Sequence, residues 1–318
     1  MENQPTNTKK IMPNIIAIDI AKDSLQVHCA YGSFSLENGP RGFKALLSRL
    51  PDRDAILVVF EATGGYERAL GEFLHAQNVP LSVVNPRLLR AFAKSEGIKA
   101  KTDPIDAEMI YRFATGKNLR PSPAPCAQQT QLSDLIDRRA QLAEFIAREK
   151  NRAQKTSHKA VIASLRRNIK ALEKELSLIE NQIRKLLDTH SELKASCRVI
   201  TSVKGVGEVT AWTLLSQLRE ITAVNRNQLV ALAGVAPYNN DSGAHRGKRF
   251  IYGGRSKVRR VLYMAAHTAA RHNPVIHRYV EGLLARGKPY KCAITAAMRK
   301  LLLHIQSLLK SHELSLVS

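Results

Sequence analysis

Apolar residues follow two rhythms along the chain. Up to about position 84 they gather in short runs bounded by turn residues. Residues 14–20 (NIIAIDI) and 55–61 (AILVVFE) are almost unbroken apolar runs of strand length, which predicts two buried strands. Residues 24–31 (SLQVHCAY) and 33–36 read as two further strands with Gly32 as the turn between them. A helix is expected from about 42 to 50 after Pro40, and another from 66 to 77 after the Gly64-Gly65 break. A short strand at 80–84 and a helix opened by Pro86 and running to about Lys94 follow. Pro104 precedes one more helix, and Pro121, Pro123 and Pro125 make a stiff linker. Hairpin strands followed by alternating strands and helices predict an α/β sheet layered with helices, over about residues 13–120.

The second rhythm begins after the prolines. Residues 126–204 contain neither Gly nor Pro. Leu165, Ile169, Leu172, Leu176, Ile179, Ile183 and Leu186 recur at alternating four- and three-residue steps, the a/d seam of a coiled coil. Leu132, Leu135, Leu142 and Ile146 form a weaker stripe upstream. Two long helices breaking around 156–161 are predicted, a helical connector over 126–190. Their seam serves either an antiparallel hairpin within the chain or a coiled coil between chains, because a heptad pattern does not name its partner.

From about 191 to 318 the pattern predicts an all-α module. Residues 198–204, the turn Gly205-Val206-Gly207 and residues 208–218 read as a helix-hairpin-helix, with further helices at 227–233, 256–272 and 290–309. Glycines in such a turn let backbone N–H groups approach a phosphate at a helix N-terminus, so Gly205 and Gly207 are candidate nucleic-acid contacts. The stretch 236–254 is loop-like.

Charge changes this picture from a fold to a partner. The 318 residues carry a net charge of +22, which favours a polyanion. That charge is unevenly spread: counting Lys and Arg against Asp and Glu gives +3 for residues 1–125, +5 for 126–190 and +14 for 191–318. The first part is nearly neutral and the last third carries most of the basic surface. Cys29, Cys126, Cys197 and Cys292 stand far apart, in no metal-ligand spacing, as reduced thiols do in a cytosolic protein. No run approaches the roughly 18–20 apolar residues that cross a bilayer, and no signal-peptide core follows the polar first twelve residues. No membrane partner is expected, and the expected location is the bacterial cytoplasm and nucleoid.

Against that basic background four acids stand out. Asp19 lies inside a buried strand, where a carboxylate is costly unless it is paired or ligating. Glu61 closes the next buried run. Asp103 and Asp106 in KTDPIDAE share one face at i,i+3, although an Asp before Pro104 also suits a helix cap. Carboxylates from separate elements can hold Mg²⁺, and two such ions about 3.5–4 Å apart neutralise the oxygens of a phosphodiester under attack. The element order fits an RNase H-like domain, whose acids would sit in these places. In the carboxy-terminal third, residues 245–260 hold seven Lys or Arg and no acid. Arg246, Lys248, Arg249, Arg255 and Lys257 are candidate phosphate contacts. Ser242, between Asp241 and Gly243, is by itself a turn residue.

The segments EATGGYE, NPRLLRAFAKSEGIKAKTDPIDAE, SVKGVGEVTA and LAGVAPYNNDSGAHRGKRFIYGGRSKVRRVLYMAA together resemble the DEDD insertion-sequence transposases, the IS-one-ten group related to Piv-type invertases. The resemblance covers about residues 14–310. It implies a RuvC-like amino-terminal domain in which Asp19, Glu61, Asp103 and Asp106 bind Mg²⁺, and a carboxy-terminal transposase domain in which Ser242 is the nucleophile. It further implies a structured non-coding guide RNA, the bridge RNA, that pairs with target and donor DNA. Homodimers pairing into a tetramer, with the metal site of one protomer meeting the serine of another, are also implied.

Two other functions use the same residues differently. An RNase H-like resolvase or nuclease would hydrolyse DNA with water and dispense with Ser242. A non-catalytic nucleic-acid-binding protein would need neither the acids nor the serine.

Overall fold

The computed structural model describes residues 14–50, 55–97, 103–124, 127–239, 247 and 249–317, the side chains of 103–105, 127 and 316–317 excepted. The chain divides into two compact units, Met1–Pro125 and Cys126–Ser318.

The first unit is built on five strands: β1 (Asn14–Ile20), β2 (Ser24–Cys29), β3 (Gly32–Glu37), β4 (Ile56–Glu61) and β5 (Leu81–Val84). They pair in the order β3-β2-β1-β4-β5. The first three form an antiparallel meander, while β4 and β5 run parallel to β1. Four helices accompany the sheet: α1 (Pro40–Arg49), α2 (Arg68–Ala76), α3 (Pro86–Ser95) and α4 (Asp103–Thr115). The expected α/β layering is therefore present, and the side-chain alternation of each strand assigns the layers. Ile16, Ile18, Ile20, Val58 and Phe60 share a core with Phe43 and Leu46 of α1 and Leu70 and Leu74 of α2. Ile15, Ala17, Leu57 and Val59 face the opposite way, against Leu89 of α3 and Ile110 and Phe113 of α4. Strands covered on both faces must be apolar throughout, which is why β1 and β4 read as continuous runs rather than alternating ones.

The second unit is helical. α5 (Ala127–Lys155) and α6 (Lys159–Asp188) are joined by only three residues, so they fold back on each other as an antiparallel hairpin. Within this chain the partner of α6 is α5. Leu132, Ile136 and Leu142 on α5 and Ile179, Ile183 and Leu187 on α6 are buried in a common core. Arg139 donates to Glu180 at 2.8 Å and Lys150 to Glu173 at 2.7 Å across the pair. Toward the turn the seam is thinner: Leu165 and Ile169 are half-buried and Phe145 is exposed.

The core of the hairpin continues into the helices that follow: α7 (Ser191–Thr201), α8 (Glu208–Gln217), α9 (Arg226–Leu232), α10 (Ser256–His272), α11 (Pro274–Ala285) and α12 (Tyr290–Val317). Trp212 on α8, Leu262 and Ala266 on α10 and Leu301 and Ile305 on α12 are at its centre. Buried Gln306 donates to the carbonyls of Ile221 at 2.8 Å and Val224 at 2.9 Å, tying α12 to the connection before α9. Two differences from the sequence reading stand out. α7 begins at Ser191, well before 198, and α11 was not anticipated. Its start is nevertheless encoded: the Asn273 side chain accepts from Val275 N and Ile276 N, with Pro274 in the first turn. Short strands β6 (Pro237–Tyr238) and β7 (Phe250–Ile251) pair within the loop-like stretch. Among the described residues, no helix is long and apolar enough to cross a membrane.

Candidate active site and nucleic-acid interface

Strand register brings two of the four acids together. β1 and β4 are adjacent and parallel, and their paired register ends at Ile18 with Phe60. Asp19 and Glu61 come next on each strand. Side chains alternate along a strand, so Asp19 follows Ile15 and Ala17, and Glu61 follows Leu57 and Val59, onto the face that α4 covers. Asp106 on α4 lies one turn before Ile110 and two before Phe113, the helix residues packed on that same face. Asp19, Glu61 and Asp106 are each half-buried, and each has interaction partners of its own. Asp103 opens α4 one turn earlier, and its side chain lies outside the described residues. Three acids thus share one layer boundary at the carboxyl ends of adjacent strands, where open α/β sheets present their sites. Among the described residues, no three His, Cys, Asp or Glu side chains are close enough together to hold a metal ion.

The segment following Glu61 is fixed by an acid that the sequence reading did not single out. The Glu67 carboxylate accepts from the Thr63 hydroxyl at 2.7 Å, from Gly65 N at 2.7 Å and from Thr63 N at 3.3 Å. Burial pushes its carboxyl up, but these hydrogen bonds outweigh burial and hold it below the usual range. Glu67 is therefore a charged anchor for the turn that leaves Glu61. A side-chain acid four residues after a threonine, across a Gly-Gly turn, was the signal available.

In the helical unit, Ser242, Arg246 and Lys248 lie outside the described residues. The two ends of their segment are described. They meet at the β6–β7 pair, where Tyr238 stands opposite Phe250 and Pro237 opposite Ile251. Just beyond, the backbone at Gly254 crosses the end of α9 so closely that a Cβ there would lie 2.2 Å from Gly234 N. Only glycine permits that approach.

The basic residues around this neck divide into two groups. Arg255 donates to the Gln217 carbonyl at 2.6 Å and grips both oxygens of Glu220 at 2.5 and 3.0 Å. Its guanidinium, expected at a phosphate, is instead engaged inside the fold. The cause is a long-range partner, Glu220, that local composition does not reveal. Burial raises the Glu220 carboxyl, but the Arg255 fork overrides it and leaves the carboxyl low. Arg259 donates to the Gly253 carbonyl at 2.6 Å. Lys257 reaches both oxygens of Asp137 at 2.7 Å. Arg249 and Arg260 are exposed and remain on the surface.

The two candidate glycines of the helix-hairpin-helix also differ. Gly205 has φ of +96°, and a Cβ on it would lie 2.5 Å from Ala269 Cα on α10. Gly207 caps α8 with extended backbone and nothing within 4 Å of an added Cβ. Gly205 thus serves helix packing, while Gly207 is the residue open to a ligand. The α8 start also carries Glu208, which accepts from Arg184 at 2.9 Å.

Carboxylates at the ends of central parallel strands, together with a strongly basic helical unit, define a class: enzymes of nucleic-acid strand chemistry. Comparison with known families makes this specific. Residues 16–157 match the DEDD family model described as Transposase, and residues 197–281 match the model described as Transposase IS116/IS110/IS902 family. The chain belongs to this insertion-sequence transposase family and is an enzyme of DNA recombination. It is also similar to two pilin gene-inverting proteins, from Moraxella bovis and Moraxella lacunata. Each is 26% identical over 299 residues, covering 90% of this chain and 92% of the relative.

Proposed function

We propose that this protein is the recombinase of an insertion sequence, which cuts and rejoins DNA with a serine nucleophile assisted by a divalent cation. The observation that carries the reading is the convergence of Asp19 and Glu61 on the sheet face covered by the helix of Asp106. The strand order β3-β2-β1-β4-β5, with a meander followed by parallel strands, suits a RuvC-like, RNase H-like domain. Asp19, Glu61, Asp103 and Asp106, drawn together around an ion, would offer only oxygen donors, the kind that suits a hard cation such as Mg²⁺. Bound there, the cation would supply neutralisation of charge at the scissile phosphate.

The chain's own groups divide the chemistry. The Ser242 hydroxyl oxygen forms a bond to phosphorus as the bond from phosphorus to a deoxyribose oxygen breaks. The serine proton passes to a base, and the leaving oxygen gains one. The positive charge of 245–260 steadies the phosphate during that exchange. Inverting a gene segment requires DNA to be cut and rejoined, and the similarity to the pilin gene-inverting proteins supports that reaction type for this chain. Target and donor would be chosen by pairing with a structured guide RNA, and homodimers assembling into a tetramer would share the metal half and the serine half between protomers. The partly covered distal part of the α5–α6 hairpin supports a role for that connector in assembly.

The test is strand cleavage by Asp19→Asn and Glu61→Gln on an insertion-sequence end. Cleavage should disappear in both variants and in wild type treated with chelator, and return on adding Mg²⁺ to wild type alone. DNA affinity should be retained. Cleavage by both variants, or by chelated wild type, contradicts the metal-assisted reading.

A further inference from the structure

Tyr238, Phe250 and Tyr252 crowd together on the β6–β7 neck, and they do so in solvent. Phe250 is 59% exposed, Tyr252 64% and Tyr238 36%. Tyr238 and Phe250 are cross-strand partners, and the rings of Tyr238 and Tyr252 lie 4.4 Å apart at 43°. Aromatic side chains are ordinarily the residues that bury most area, so three together on one exposed hairpin mark a surface made to be covered.

The neck is held still while it presents them. The Gly234–Gly254 crossing, the Arg255 fork on Glu220 and the Arg259 bond to Gly253 O all fasten the returning strand to the helical core. Exposure here does not come from a loose end of chain.

What covers it follows from charge. Residues 245–260 include seven Lys or Arg and no acid in sequence; Arg255, Lys257 and Arg259 are engaged within the fold, while Arg249, beside Phe250, and Arg260 are exposed and open to an anion. An apolar protein partner would gain little from that surround. A polyanion bearing flat π faces gains from both. Bases in a duplex already stack on their neighbours and offer only edges in the grooves. An aromatic platform beside basic groups suits bases that are unpaired.

We propose that Tyr238, Phe250 and Tyr252 form a stacking platform for unpaired bases of the DNA strand held at this basic segment. This rests on the recombinase reading, in which the strand being cut is brought to the segment whose two ends this neck joins. The platform would hold nucleotides melted beside the cleavage point, so that the phosphate is presented without sequence readout by the protein. It is a binding and positioning device and takes no part in bond making.

The test uses the full-length protein and fluorescence anisotropy with three probes of matched length: oligo-dT, a DNA duplex and oligo-rU. Tyr252→Ala and Phe250→Ala should each weaken oligo-dT binding about tenfold, within the range that loss of one base–aromatic stack produces. Duplex affinity and the salt dependence of binding should stay unchanged, because the phosphate contacts remain. Tyr252→Phe should restore oligo-dT binding, since the ring and not the hydroxyl stacks. Circular dichroism should show both alanine variants folded, as expected for exposed positions. The platform is overturned by unchanged oligo-dT affinity in both variants, by an equal loss on duplex, or by a loss confined to oligo-rU. A wild-type protein that binds none of the probes overturns instead the recombinase reading on which the platform rests. Binding with no effect of the alanines leaves that reading intact and removes only the platform.

Discussion

Gly205 and Gly207 sit two residues apart in one turn, yet substituting alanine at each should have very unequal consequences for stability. At Gly205 the added methyl would lie 2.5 Å from Ala269 Cα, 2.6 Å from Ala269 N and 2.7 Å from Ala269 Cβ. Those are backbone-anchored atoms of a fully buried residue on α10, so no flexible side chain can swing aside. Forcing a helix–helix contact apart costs about 1–3 kcal/mol. Holding a residue with a Cβ at φ of +96° adds roughly 1–2 kcal/mol. The lower entropy of the unfolded alanine chain offsets about 0.4–1 kcal/mol of this. The expected net loss for Gly205→Ala is therefore about 1–4.5 kcal/mol, centred near 3 kcal/mol. Gly207, with extended backbone and open space around it, should lose only about 0.5–1 kcal/mol on the same substitution, the difference between glycine and alanine as a helix N-cap. The assay is urea unfolding followed by the fluorescence of Trp212, the single tryptophan, which is buried in the same core. A Gly205→Ala protein within about 0.5 kcal/mol of wild type would refute the packing argument, since that is the scatter of ordinary surface changes. The two variants also separate packing from binding. Gly207→Ala should fold normally and lose DNA affinity if the turn meets a phosphate.

Other expectations follow from the same geometry. Glu220→Gln should destabilise the helical unit by about 1–2 kcal/mol, the low end for a charged hydrogen bond because about a third of the pair faces water. The Glu220 carboxyl is held low in the folded state, so its stabilisation is present above the unfolded value of about 4.3 and is lost as pH falls through the folded value. Wild type should therefore lose urea resistance below about pH 5 more steeply than Glu220→Gln, and equal slopes would remove the ion-pair argument. Arg249→Ala should weaken DNA binding across sequences and lower the salt slope by about one, whereas an unchanged slope would show that Arg249 touches no phosphate. Arg255→Ala should instead be read out as lost stability. A variant that kept full stability but lost salt-dependent binding would return Arg255 to the phosphate.

How much could be read in the sequence depended on the range of the interaction concerned. The central strands were legible because burial on two faces makes β1 and β4 apolar throughout. The positions of Asp19 and Glu61 were legible for the same reason, as single acids in or closing such runs. Their common face needed the strand register, and the place of Asp106 needed the packing of α4 on that face. α11 was missed although Asn273-Pro274 announces it. The β6–β7 pair is only two residues long on each side, too short for alternation to register. Long-range partners were the least legible. Gly205 is set by Ala269, Arg255 by Glu220 and Gly254 by Gly234; local composition made Gly205 and Arg255 look like nucleic-acid contacts and Gly254 like an ordinary loop residue. Ser242 drew its role from family resemblance, because an Asp-Ser-Gly sequence is ordinarily a turn.

That serine is where the account is most exposed. The deciding measurement is the search for a covalent protein–DNA adduct, using a labelled insertion-sequence end, Mg²⁺ and denaturing gel electrophoresis. Wild type should yield DNA that migrates with the protein and is released by protease. Ser242→Ala should give no adduct and no strand exchange while binding DNA normally. Cleavage and exchange by Ser242→Ala, or product formed by wild type with no protein-linked intermediate, would contradict the serine mechanism and favour hydrolysis by water at the acidic site.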